Sequence, residues 1–407
     1  MQNRNMAPDE SSTGLPPRKR RLLWRAAVDR AREQRQVDYE RLAKLVPGAV
    51  HVTAVPLPRD ETMLLRQEAV RNAFKHAIRG YERYAWGDDD LKPLSKRGSG
   101  GLCKMGLTLV DAMDTALIMG LPRQFDRMRE WVTKNLEFGL EEQEDINLFE
   151  TTIRMVGGLL STYDLSGDDV FLEKAEDLAR RMLHAFDSPS GIPYGTLGLH
   201  SGKAYNPKWI YEASSVAEVG TLQLEFTHLS RRSGDPVFEE KAMRAMYALV
   251  KADITDGLLP IYVDPKDGKF FDSPVTLGAR GDSFYEYSYK ASVAHFHSER
   301  GLKSRERRTW LLAQHYKSLR GILERLVRRT GGNDGLLYVS EQTKSIGALF
   351  VSKRNARRKK VEEKEQKARK AAMDASTVDE EETGDDNGDG NGDGNGDGTG
   401  TKHFAST

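Results

Sequence analysis

The chain has 407 residues, 38% of them hydrophobic, enough to bury one large core or two modest ones. Its 62 basic and 61 acidic residues leave a formal net charge of +1, which by itself gives no reason to expect a nucleic-acid or membrane partner. Cys103 is the single cysteine, so no internal disulfide can form, and no run approaches the roughly 20 apolar residues of a membrane helix.

In chain order, residues 1–60 read as a polar, mostly disordered tail. It holds one charged helix from Trp24 to Val46 and an extended connector at Val55-Pro56-Leu57-Pro58. The run from Pro16 to Arg25 returns to charge after three apolar residues, so neither a signal peptide nor an anchor is legible. From Glu61 to Phe350 helical periodicity dominates. Met63, Val70, Phe74, Ile78 and Tyr81 recur at threes and fours, as do Phe171, Ala175, Leu178, Met182 and Leu183, and then Leu311, Leu312, His315, Leu319 and Ile322. Ser166–Asp169, Ser188–Pro193 and Ser233–Pro236 read as helix-to-helix connections. Leu258–Val263 followed by Asp264–Phe271 reads as a β-hairpin around an Asp/Pro/Gly turn. The class is therefore all-α, built from repeated helical pairs. Residues 351–407 break this pattern with a basic run at Lys353–Lys360 and an acidic Gly/Asn/Asp repeat from Asp379 to Gly400 that can build no core. Asp385, Asn387, Asp389 and Gly390 imitate the start of a calcium loop, but Gly396 stands where its bidentate Glu belongs.

The most informative segment is Asn147-Leu148-Phe149-Glu150-Thr151-Thr152-Ile153-Arg154, continuing to Tyr163. A helix brings residues four apart onto one face, so Glu150 and Arg154 can meet inside an otherwise apolar stretch. The plain alternative is a surface salt bridge worth a few tenths of a kcal/mol. Asp282 and Glu286 are also four apart, with Phe284, Tyr285 and Tyr287 beside them. Two like charges on one face repel unless a sugar hydroxyl, a cation or water separates them, and the alternative is a solvated acidic face. Asp111 and Asp114 are three apart, with capping or surface charge as the alternative role for Asp114. His295 and His297 do not share a helical face, so no metal site is read from them.

These segments closely resemble the class I α-mannosidases of glycoside hydrolase family 47. The match rests on Asn147–Tyr163, on Thr108–Thr115 with Ile118–Gly120, on Ser215–Phe226, on Gly281–Tyr287 and, more weakly, on Gly335–Glu341, all in the family's order. The resemblance implies an (α/α)7 toroid of helical hairpins, incomplete in this chain, over residues 61–350. It implies hydrolysis of terminal α-1,2-linked mannose from high-mannose N-glycans by an inverting, calcium-dependent mechanism. By resemblance Glu150 and Asp282 are catalytic carboxylates, and Asp111, Arg154, Glu218, Arg280 and Glu286 contact the sugar, while Glu225 is structural. Arg280 resembles the arginine of endoplasmic-reticulum-type members, which points to selective removal of one mannose. A monomer in the endoplasmic reticulum or Golgi, with no nucleic-acid partner, is the implied setting.

Two parts of the family's machinery are not found in this sequence: an Arg-Pro-Glu segment carrying the general base, and a Thr-containing motif that holds Ca2+ beside the sugar. The chain thus resembles the first part of such an enzyme, and the expectation for it is weak or absent turnover. A non-catalytic glycan-binding homologue, or a helical scaffold that recruits partners through its charged tail, are the competing readings.

Overall fold

The computed structural model describes residues 17–45, 60–101, 104–141, 143, 145–251, 256–296, 302–331 and 335–343. The Val55–Pro58 connector, Cys103, His297 and the whole 351–407 tail with its basic run and calcium-loop imitation lie outside them.

The N-terminal 60 residues are not a tail throughout. Pro17–Leu45 forms a helix, α1, which docks on the body through Val28, buried against Leu64. Helix α2 (Glu61–Tyr84) starts at Asp60, whose carboxylate caps the amides of Thr62 and Met63. The expected apolar face of α2 is displaced by one residue in its first half only: Met63 and Val70 are 48% and 58% exposed with Leu64 and Arg71 buried in their place, while Ile78 and Tyr81 are buried as expected. The reason is Arg71. Its guanidinium reaches Asp38 of α1 at 2.7 Å, Glu68 at 2.8 Å and the carbonyls of Met119 and Gly120 at 2.8 and 2.9 Å, a set of acceptors that outweighs apolar patterning.

Among the described residues four helical hairpins follow. The first is α3 (Leu107–Asp111) and α4 (Met113–Ile118) with α5 (Pro122–Asn135). The second is α6 (Leu148–Thr151), a π-helical turn at Thr152–Val156 and α7 (Gly157–Ser166), paired with α8 (Asp169–Met182). The third is α9 (Val216–Val219) and α10 (Gln223–Ser233) with α11 (Val237–Lys251). The fourth is α12 (Asp282–Phe296) with α13 (Leu302–Gly321). The first helices pack in sequence, α4 on α7, α7 on α10 and α10 on α12. Aromatic pairs join neighbouring hairpins: Phe125 with Phe171 at 6.3 Å, and Phe186 with Phe226 at 5.6 Å. This is the all-α, α/α-barrel type of architecture expected from the sequence. Gly167, at φ +69°, turns the chain between α7 and α8, and Ser233–Pro236 links α10 to α11 as expected.

Short β-pairs sit between the hairpins: β1 (Asp90–Lys92) with β2 (Arg97–Ser99), β3 (Ile146–Asn147) with β4 (Thr196–Leu197) and β5 (Ala204–Tyr205), β6 (Ser214–Ser215) with β7 (Tyr262–Val263), and β8 (Val327–Arg329) with β9 (Leu337–Val339). Ser188–Pro193 therefore leads from the second hairpin into a β-excursion rather than directly into another helix. The hairpin turn after Val263 is present, closed by Asp264 and Lys269, but the main partner of β7 is β6, with Ser214 opposite Val263. On α13 the buried face carries Leu311, Gln314 and Ser318, whereas Leu319 is exposed. Here Ser318 donates to the Gly257 carbonyl at 2.7 Å, so a loop rather than an apolar layer covers it. The last hairpin also leaves Tyr289, Val293 and Tyr316 exposed, and the π-helical turn that follows it leaves Leu323 exposed.

Candidate active site

Two of the site carboxylates are placed by the same local device. At Asn147 the extended β3 backbone turns into α6, and the Asn147 side chain accepts from the amide of Glu150 at 2.8 Å. At Ser215 the β6 strand turns into α9, and the Ser215 hydroxyl accepts from the amide of Glu218 at 3.2 Å while donating to its carboxylate at 2.8 Å. Both acids are thereby fixed in the first turn of a short helix, where the helix dipole also favours a negative charge. The two units are tied together, because the Asn147 amide donates to Glu218 Oε1 at 3.2 Å.

Arg154 stands at the centre. Its Nε donates to Glu150 Oε2 at 2.7 Å and its Nη1 to Asp111 Oδ2 at 3.4 Å. The expected i, i+4 pair is therefore present, but not on a regular α-helix: Arg154 lies in the π-helical turn, a wider winding frequent at functional sites. Both groups are part-exposed, Arg154 to 41% and Glu150 to 32%, so the pair is open to a ligand rather than sealed in the core. The hydrogen bond that it donates to Glu150, foremost, raises the pKa of Arg154 above its ordinary value. The Asp111 carboxyl is pushed up, chiefly by desolvation, against the opposing pull of Arg154, and Asp114 and Glu150 add to the rise. Asp114 itself is held aside, accepting from Ser161 at 2.8 Å and Thr115 at 3.2 Å. Asp114 thereby bridges α4 to α7, a role that is neither capping nor surface charge.

The second cluster sits at the start of α12. Arg280 has φ +74°, a left-handed conformation costly for a residue with a side chain. It is held there because its carbonyl accepts from Ala217 at 2.9 Å, next to Glu218. The following Gly281 is obligatory, since a Cβ there would lie 2.4 Å from the Thr276 carbonyl oxygen. The Arg280 guanidinium lies over the rings of Trp209 at 5.5 Å and Tyr262 at 5.6 Å. Asp282 and Glu286 are both exposed on α12, as their spacing predicts. The aromatic residues beside them are core, not lining: Phe284 is fully buried, and the Tyr285 hydroxyl accepts from Leu259. Glu286 is ion-paired with Lys290, a partner the sequence reading missed. The structure thus joins Asp111, Arg154, Glu150 and Glu218 through a continuous set of hydrogen bonds. It sets Arg280 and Asp282 on the adjoining loop and helix.

The sequence profile of glycosyl hydrolase family 47 matches residues 73–364. The chain belongs to this family. It is 48% identical over 237 residues to the mannosyl-oligosaccharide 1,2-alpha-mannosidase MNS1 of Arabidopsis thaliana, which covers 58% of this chain and 42% of that protein. With the endoplasmic reticulum mannosyl-oligosaccharide 1,2-alpha-mannosidase of Mus musculus it shares 40% identity over 316 residues, 76% of this chain and 45% of the mouse protein. The solved α-1,2-mannosidase from Trichoderma reesei superposes with a TM-score of 0.61 at 25% identity, over 69% of this chain and 59% of that one. The chain thus spans less than half the length of the curated relatives it matches.

Within this family-47 site, sequence reasoning missed Asn147, Ser215 and Trp209 as participants. The first two had a signal in the Asn-x-x-Glu and Ser-x-x-Glu spacing of helix starts. Trp209, 71% exposed in a turn after Pro207, had none. Glu225, read as structural, is a strut between α10 and α12: Tyr287 donates to its Oε1 at 2.9 Å, and its buried Oε2 has no partner. Burial raises its pKa. A raised carboxyl means the folded chain holds a proton the unfolded chain has lost, so this contribution to stability is present at acidic pH and disappears as pH climbs through the folded-state value. Glu225→Gln should accordingly match the parent's melting temperature at acidic pH and exceed it at neutral pH, by about 1–3 kcal/mol in stability. Thermal melts of both proteins across that range would check this, and a constant difference would refute it.

Proposed function

We propose that this site binds the terminal α-1,2-linked mannose of a high-mannose N-glycan and supplies the acid side of its hydrolysis. The observation that carries the reading is Arg154 gripping Glu150 and Asp111 together at a part-exposed family-47 site. Carboxylates flanking a guanidinium offer acceptors and donors in the pattern that adjacent sugar hydroxyls require. Since Glu150 Oε2 is taken by Arg154, Oε1 is the oxygen that would carry the proton to the leaving group. Asp282, at the head of α12, is the second carboxylate, acting directly or through water. In an inverting hydrolysis a base activates the water on the opposite face of the sugar. Glu218 and Glu286 bound the sugar floor, and Arg280, held against Trp209 and Tyr262, sits where selective removal of one mannose would be set. A place in the secretory pathway follows from the same reading, supported by the endoplasmic-reticulum names of the mouse and human relatives.

Among the described residues no group of three or more His, Cys, Asp or Glu side chains is placed to hold a metal ion, and the site's chemistry is derived without one.

General acid–base assistance is typically worth about 100- to 10,000-fold, and the Arg-Pro-Glu base segment is not among residues 1–407. The 407-residue polypeptide assayed alone is therefore expected to bind a high-mannose glycan without releasing mannose. Calorimetric titration with such a glycan, paired with a mannose-release assay, tests this. Absence of binding would sink the site assignment. Release that Glu150→Gln abolishes would instead show that the residues present complete the reaction.

A further inference from the structure

The two segments that carry Glu218 and Asp282 are joined by a row of polar contacts that apolar packing alone does not require. Ala217, Thr221 and Glu225 are four apart, on the stretch that runs from α9 through residues 220–222 into α10. Each meets one residue at the head of α12. The Ala217 amide donates to the Arg280 carbonyl at 2.9 Å, the Thr221 and Ser283 hydroxyls bond at 2.8 Å, and Tyr287 donates to Glu225 Oε1 at 2.9 Å. The partners at 280, 283 and 287 also follow helical spacing, so the three bonds form the rungs of one ladder. Thr221 and Tyr287 are 2% and 8% exposed, and water has little access to replace either bond. Between the rungs the backbones come very close: a Cβ at Gly220 would lie 2.7 Å from the Phe284 ring. On the other side Glu225 lies against Gly157, three residues after Arg154, where a Cβ would be 3.6 Å from the Glu225 Cγ.

Each rung stands beside a side chain of the site. Glu218 follows Ala217, Asp282 precedes Ser283, Glu286 precedes Tyr287, and Arg280 supplies the first rung itself. We propose, on the glycan-site reading above, that Thr221, Ser283, Glu225 and Tyr287 are positioning residues: their rungs fix the register of α12 on α9 and α10 and so hold Asp282 and Glu286 in place relative to Glu218. They need not touch the sugar. Apolar side chains tolerate a small slide or rotation of one helix on another, whereas hydrogen bonds at three levels fit one register only. The third rung reaches a site side chain as well as its backbone, because Lys290 lies over the Tyr287 ring at 6.0 Å and is ion-paired with Glu286. A site that must match several sugar hydroxyls at once depends on such support, since its acceptors have to be held to about half an ångström.

The test measures high-mannose glycan affinity by calorimetry, amide hydrogen exchange over residues 280–287 and the melting temperature, in the full 407-residue chain and four variants. Thr221→Val and Tyr287→Phe each remove one rung with little change of shape. In both, affinity should fall and exchange over 280–287 should quicken, each by about tenfold. Thr221→Ser keeps the hydroxyl and should keep the parent's values. Ser318→Ala breaks the α13 bond to the Gly257 carbonyl, outside the ladder, and should lower the melting temperature without changing glycan affinity. Unchanged affinity in both rung variants, or an equal loss in Ser318→Ala, would overturn the proposal. A parent chain with no glycan affinity would instead remove the glycan-site reading and leave exchange to decide: quickening confined to 280–287 in the rung variants upholds the register role, and its absence overturns it.

Discussion

Replacing Arg71 by methionine is expected to lower the stability of the folded chain by about 3–5 kcal/mol. Arg71 is 1% exposed and spends every direction of its guanidinium on an acceptor: Nε on the Met119 carbonyl, Nη1 on Glu68, and Nη2 on Asp38 and the Gly120 carbonyl. Methionine fills much of the volume but satisfies none of these groups. Asp38 and Glu68 are only 16% and 18% exposed, so each would keep a charge with little water to replace its partner. The loss is large against the 5–15 kcal/mol that typically holds a domain together. It should be visible as a lower urea midpoint. A second consequence separates this from generic core damage: Asp38 is the ion-pair partner on α1, so α1 should become the first segment cut by a protease. Glu68→Gln should do less, because Glu68 is one of four acceptors and also faces Lys75 at 3.5 Å. A midpoint shift equivalent to under about 1 kcal/mol for Arg71→Met would mean that water replaces the guanidinium at these carbonyls.

Arg71 also explains where the sequence misled. Amphipathic patterning assumes that the buried stripe is apolar, and on α8 that holds, with Phe171, Ala175, Leu178 and Met182 all inside. On α2 the stripe turns about a buried arginine, three of whose four acceptors lie 33 to 49 residues away along the chain, and no local pattern encodes that. On α13 the inward residues include Gln314 and Ser318 because the 256–258 loop passes close enough for Ser318 to bond its backbone. The site was more legible than the packing. Glu150 and Arg154 are four apart in sequence and meet in space, since a single π turn still leaves them on neighbouring windings. Asp111, 43 residues upstream of Arg154, joins them only through the packing of α3 on the π turn. Its membership was readable from family resemblance and not from spacing. The aromatic residues next to Asp282 belong to the core, with Phe284 buried against the Gly220 position and Tyr285 and Tyr287 buried beside it.

Arg154→Met is expected to abolish most glycan binding while leaving stability nearly intact. The stability side follows from exposure: with Arg154 41% and Glu150 32% exposed, water solvates both partners when the pair is broken, and part-exposed pairs of this kind contribute about 0–1 kcal/mol. The binding side follows from charge. Without the guanidinium, Glu150 and Asp111 face one another with no cation between them, and Asp114 adds to the negative field around Asp111. A sugar hydroxyl group would then meet two carboxylates whose orientation nothing fixes. Losing a charge-assisted partner at a binding site costs at least about 2 kcal/mol, roughly 30-fold in affinity. The same change removes the largest influence lowering the Asp111 pKa, so that carboxyl, already raised by desolvation, should titrate higher still, which NMR of its side-chain carbon would read directly. Arg154→Lys should fall between, since it keeps the charge but has no fork to span both Glu150 and Asp111. Retention of full glycan affinity by Arg154→Met, with the Asp111 titration moved as stated, would place the sugar elsewhere on the protein and leave this cluster as a structural ion pair between α3 and the π turn.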